Sequence, residues 1–204
     1  MYIFVHKGEE IFRGTKKEAQ EALEEYFKKA DEIGLEKYLD EVVEATKIRK
    51  TAFAKWASKF EKKFHHHFDG EFTIGRFSKR DATQILKGHG GHNHSVIGDN
   101  IRVRRYLSQP INNHPFEVLI DIRYKNGQWI EKQAKSSMFP KNWNIERVKE
   151  EIALVYDKMI DSGVFEQIKN HRTPSFKSLD SNGVFEIKIE FDEFGNITNA
   201  YPNI

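Results

Sequence analysis

The sequence contains no cysteine, which removes disulfides, thiolate metal sites and cysteine nucleophiles together and leaves the redox compartment unread. It also lacks a long apolar run: no stretch approaches the ~18 consecutive apolar residues that a membrane helix requires. The opening residues Met1, Tyr2, Ile3, Phe4, Val5, His6 and Lys7 do not form the basic segment and apolar core of a secretory signal. The expectation is therefore a chain without signal peptide or membrane contact, working in the cytoplasm. Charge of one sign is missing too. With 33 Lys and Arg against 31 Asp and Glu, the net charge is +2, so a nucleic-acid surface would have to be local rather than a basic arm.

Other residues are present in excess. Among 204 residues, 38% are hydrophobic and 16 are Phe, enough for one ordinary domain plus an appendage. Tyr2 to Val5 and Glu10 to Arg13 read as a short strand pair around Gly8. Thr15 and Glu18 then have the spacing of a capping box, in which each side chain satisfies the other's backbone N–H. The period of Ala19, Ala22, Leu23, Tyr26, Phe27, Ala30 and Ile33 predicts a helix stopped by a left-handed Gly34. A second apolar period from Leu35 to Phe60 extends the helical region to about residue 62.

From Phe64 onward the pattern changes to short strands and glycine turns. Phe116 to Tyr124 is β-rich, Asn126-Gly127 is a strong hairpin signal, and Gln128 to Ala134 returns. Asn144 can cap a helix reaching Ser162-Gly163 with Ile145, Val148, Ile152, Val155, Tyr156 and Met159 on one face. Residues 165 to 182 lack periodicity and read as loop. A hairpin of Val184 to Phe191 and Ile197 to Tyr201 closes the chain. The expected fold class is α+β: a strand pair and helical region of unassigned role over 1–62, then an antiparallel-sheet domain over 63–204.

Nine histidines are the most informative excess, because histidine both takes and gives a proton near neutral pH and also ligates metals. Six of them form two clusters, His65, His66 and His67, then His89, His92 and His94. The second lies around Gly90-Gly91, where a side-chain-free backbone can approach a ligand closely. Between the expected strand and helix lies Lys135-Ser136-Ser137-Met138-Phe139-Pro140, whose lysine the histidines could serve. Two histidines and a lysine suffice to cleave RNA through its own 2′-hydroxyl, which requires a base, an acid and a cation beside the phosphorane. A metal-dependent nuclease is the competing reading, with Asp69, Glu71 and Asp99 near the histidines in sequence. Arg102 and Arg104 share one face of a predicted strand, as an RNA-backbone contact or as a solvated edge.

The chain from about residue 65 resembles the bacterial EndoU-type endoribonucleases, related to the coronavirus uridylate-specific and eukaryotic poly(U)-specific enzymes. His66-His67-Phe68-Asp69-Gly70-Glu71 resembles the family's first histidine motif and Gly90-Gly91-His92-Asn93 its second. Lys135 to Trp143 resembles its lysine segment, and Asn199-Ala200-Tyr201-Pro202 its closing strand. The resemblance implies an EndoU-like nuclease domain with His66, His92 and Lys135 catalytic and with Tyr201, Asn199, Ser136 and Ser137 contacting substrate. It implies no metal or other cofactor, an RNA substrate, cyclic-phosphate products, uridine preference and, for a toxin, delivery into a target cell and a cognate immunity protein. An inactive RNA- or partner-binding module of the same fold is the alternative. His65 and His67 compete with His66 for the first position, and His89 and His94 with His92 for the second. The two motifs stand farther apart than is usual in the family, and an alignment placing Thr83 to Gly88 in the first position would substitute Gln84 for the histidine.

Overall fold

The computed structural model describes residues 1–60, 64, 70–78, 83–94, 97, 98, 100–124 and 127–204; for 31, 71–78 and 83–87 the backbone alone is described. The chain divides into two units, Met1–Thr51 and Ala52–Ile204.

In the first unit, β1 (Tyr2–His6) and β2 (Glu9–Gly14) form an antiparallel hairpin. The capping box forms as expected: the Thr15 N–H donates to the Glu18 carboxylate at 2.7 Å and the Glu18 N–H to the Thr15 hydroxyl at 3.4 Å. Helix α1 (Lys16–Ile33) starts there and stops at Gly34, whose φ of 90° and ψ of 138° are glycine torsions but not the left-handed helical ones expected. Helix α2 (Leu35–Trp56) follows at once. Tyr26 packs between Phe4 and Tyr38, while Asp40 accepts hydrogen bonds from Lys7 at 2.6 Å and His6 at 2.8 Å. The hairpin is thereby tied to both helices.

Among its described residues, the second unit holds three antiparallel sheets, of two, four and three strands, and a long and a short α-helix. Strands β3 (Glu71–Ser78) and β4 (Thr83–His89) form an antiparallel pair in the long interval between the two histidine motifs. Next come β5 (Ile101–Tyr106), β6 (Phe116–Arg123), β7 (Trp129–Glu131) and β8 (Ser136–Met138); β6 pairs with all three of the others. Alternation explains the sheet, because Phe116, Val118, Ile120 and Ile122 of β6 are all buried and form one core with Ile101 and Met138.

Helix α3 (Ile145–Asp161) begins where Asn144 accepts from the Arg147 N–H at 2.8 Å. It packs on the sheet formed by β9 (Ser175–Leu179), β10 (Glu186–Phe191) and β11 (Ile197–Asn203), in the order β11-β10-β9. Val148, Ile152, Val155, Tyr156 and Met159 meet Ile187, Ile189, Phe191 and Ile197 in the main core, with Phe139 and Trp143. The expectation of a loop over residues 165–182 is corrected: a short α4 (Val164–Ile168) and the whole of β9 lie there. As an edge strand, β9 is shielded on few sides and buries none of its residues fully, so it carries no apolar alternation to read.

Candidate active site

Three segments meet where β8 approaches β11. The first is the turn after β4. Gly90 and Gly91 both have positive φ, 76° and 73°, and a Cβ on Gly91 would stand 2.6 Å from Ile120 Cδ1. Glycine is thus required there twice, by torsion and by the close approach to β6. His92 follows, only 8% exposed.

The His92 ring is held on two sides. Its Nδ1 lies 2.7 Å from the Ser137 carbonyl oxygen. A carbonyl can only accept, so Nδ1 carries the hydrogen and the neutral ring has its lone pair on Nε2. The Phe139 N–H donates to the His92 carbonyl at 2.8 Å, so β8 grips this residue through both backbone and ring. On the other side the Tyr201 ring stacks on the imidazole, with centroids 5.5 Å apart.

Tyr201 belongs to a cross-strand network on the face of β10 and β11 opposite the core. Glu190 accepts from the Tyr201 hydroxyl at 2.9 Å and from Asn199 Nδ2 at 3.2 Å. Asn199 Oδ1 is buried without a hydrogen-bond partner among the described residues. Lys188 Nζ lies 5.5 Å from the centre of the Tyr201 ring. Burial pushes the Tyr201 hydroxyl above its ordinary pKa, and the hydrogen bond with Tyr201 holds the Lys188 ammonium above its own.

The lysine segment separates its residues. Lys135 projects to solvent, 58% exposed, and ion-pairs with Glu117 of β6. Ser136 is fully buried and accepts from Lys132 at 2.7 Å, while Ser137 is half-buried beside His92. His94 packs edge-on against Phe116, and burial lowers its pKa, with Lys141 adding to the effect. His89 ends β4 and is exposed. His65, His66, His67, Asp69 and Asp99 lie outside the described residues, as do the side chains of Glu71 and Gln84. Among the described residues, no three His, Asp or Glu side chains gather as a metal site. Arg102 and Arg104 are engaged in ion pairs with Asp121 and Glu131, and Arg102 also stacks on Trp129 at 4.6 Å.

Sequence reasoning missed Lys132 and Glu190. Lys132 has the parity of Ile130 in a strand-like run, the signal of a lysine directed inward. Glu190 has the parity of Lys188, and its Cα partner across the hairpin is Asn199, which places it beside the closing motif.

An α+β unit with a histidine of fixed tautomer on a glycine turn, beside a strand flanked by lysines, is equipped for proton transfer next to an anion. Residues 60–204 match the family model described as bacterial EndoU nuclease, and the chain belongs to that family. No curated protein and no solved structure matches. Family membership supports endoribonuclease activity and implies a nucleic-acid substrate. No helix among the described residues is long and apolar enough to cross a membrane.

Proposed function

We propose that the protein is a metal-independent endoribonuclease that attacks the scissile phosphate with the substrate's own 2′-hydroxyl. The observation carrying this reading is the 2.7 Å contact of His92 Nδ1 with the Ser137 carbonyl, which leaves Nε2 as the basic nitrogen in the neutral ring. His92 Nε2 takes the 2′-hydroxyl proton, and the alkoxide oxygen forms a bond to phosphorus. His66, as the acid, gives a proton to the departing 5′-oxygen when the P–O5′ bond breaks. Lys135 stabilises the charge that accumulates on the phosphorane oxygens. The products are a 2′,3′-cyclic phosphate and a 5′-hydroxyl, and atoms balance without an external nucleophile.

We assign base recognition, with a preference for uridine, to Asn199, whose amide carries both a donor and an acceptor for a pyrimidine edge; with Nδ2 donated to Glu190 and Oδ1 buried, the side chain has to turn outward to meet a base. Tyr201 and Ser137 complete the substrate-binding set, whereas Ser136, expected to join it, is fully buried against Lys132 and has no surface to offer a substrate. We assign residues 63–204 to the nuclease domain and residues 1–62 to a separate region, and we place the activity in a toxin acting in the cytoplasm of a target cell and neutralised by an immunity protein.

The test is incubation with a uridine-containing oligoribonucleotide in EDTA, with product ends read by mass spectrometry. Cyclic phosphate ends, absent with His92→Ala, are the expected result. Activity that disappears in chelator and returns with a divalent ion would overturn the mechanism.

A further inference from the structure

Lys132 is a buried titratable group that the reaction above leaves unused. It follows β7 directly and is 6% exposed. Its hydrogen bonds among the described residues both go to neutral oxygens, the Gly90 carbonyl at 2.8 Å and the Ser136 hydroxyl at 2.7 Å. Burial lowers its pKa to about 8. An ammonium taken out of water with no carboxylate partner among the described residues costs stability, and an apolar side chain of similar volume often proves neutral or stabilising in its place. The contribution of this lysine therefore lies in what it holds together.

Both acceptors flank the candidate base. Gly90 stands two residues before His92, in a turn with no side chains of its own to fix it. Ser136 stands one residue before Ser137, whose carbonyl accepts from the His92 ring. From these contacts we propose that Lys132 is a positioning residue: its ammonium ties the Gly90-Gly91 turn to the start of β8 and so holds the His92 imidazole against Ser137 and Tyr201. The inference rests on the reading of His92 as the base, and it differs from the role given to Lys135, whose ammonium is exposed and paired with Glu117.

The experiment compares the full-length wild type with Lys132→Met and Lys132→Arg. Three properties are measured: the melting temperature, kcat and KM on a uridine-containing oligoribonucleotide in EDTA, and the ring resonances of the histidines by NMR. Lys132→Met is expected to melt at or above the wild-type temperature. Its kcat is expected to fall about 10- to 100-fold with KM changed by less than about threefold, the signature of a misplaced catalytic group. The His92 ring signals shift, those of His114 and His171 stay in place, and Lys132→Arg, which keeps the charge and donors, recovers part of kcat. A Lys132→Met protein that melts far below wild type, one whose loss lies in KM, or one with unchanged kcat and unchanged His92 signals would each overturn the proposal. Should the wild type leave RNA intact, the cleavage reading fails by itself. The His92 resonances of Lys132→Met then decide the positioning role alone.

Discussion

His92 and Tyr201 lie with their rings inclined by only 27° and their centroids 5.5 Å apart, one carried by a glycine turn and the other by the final strand. The stack limits rotation of the imidazole about the axis left open by its Nδ1 bond. Tyr201→Ala should therefore lower kcat by about tenfold or more, because a base misplaced by a fraction of an ångström loses much of its advantage. Tyr201→Phe keeps the stack and loses the hydroxyl's bonds to Glu190 and Lys188, so it should retain most of kcat. Equal loss in the two variants would place the hydroxyl, rather than the ring, in the reaction.

Replacing His92 itself removes the group assigned to proton abstraction, for which contributions of about 10²- to 10⁴-fold are typical. His92→Ala should lose activity on that scale. Thermal melting checks that the second unit remains folded, and a folded variant with near-normal activity would reassign the base to a neighbouring histidine.

Lys135, exposed, pairs with the half-buried Glu117, and an ion pair open to solvent on its lysine side is worth about 0–1 kcal/mol to stability. Lys135→Ala should leave the urea midpoint nearly unchanged while reducing kcat by about 10²- to 10³-fold, the usual effect of losing one charge-stabilising group. Glu117→Gln should release the lysine for phosphate and lower KM at low salt, a difference that fades as ionic strength rises. Steady-state kinetics at two salt concentrations distinguish these outcomes.

Lys132 gives a pH dependence whose sign is fixed. Its pKa falls from the ordinary 10.5 to about 8 in the folded protein, so between these values the unfolded chain binds more protons and stability rises with pH. The burial penalty is fully present below pH 8 and disappears above pH 10.5. A Lys132→Met variant should thus show its largest stability advantage near pH 7, narrowing by up to about 3 kcal/mol as pH reaches 10.5. Denaturant unfolding of both proteins across that range measures it. A constant gap would mean that the ammonium is not desolvated.

Glu151 of α3 is fully buried, accepts from the Ser181 N–H at 2.8 Å and hydroxyl at 2.6 Å, and pairs with Arg147. Glu151→Ala should destabilise the second unit by about 2–4 kcal/mol, since it strands buried donors and leaves a cavity. Its effect on kcat at temperatures below the transition should be small.

Much of this arrangement is legible in the residues because it rests on local chemistry. Thr15 and Glu18, Asn144, and the alternation of Phe116 to Ile122 and of Ile187 to Phe191 each announce an element through a mechanism contained in a few neighbours. The glycine pair before His92 is legible as a close approach, though not what it approaches, since Ile120 lies on another strand. Strand β9 escaped notice because an edge strand needs no buried face. The contact of Ser137 with His92, the Glu190 network and the inward turn of Lys132 depend on which strands become neighbours, and no short window of sequence encodes that. The capture of Lys135 by Glu117 is of the same kind: its exposure could be anticipated, but its partner came only with the pairing of β6 and β8.

Strand β11 comes last in the order of elements yet supplies the ring that steadies His92. A chain folded only as far as α3 already contains His92, its glycine turn and Lys135, but not the Tyr201 ring that stacks on the imidazole or the sheet that carries it. The setting of the His92 ring is therefore complete only when the last strand has paired, so that closing the C-terminal sheet and finishing the candidate site are one event.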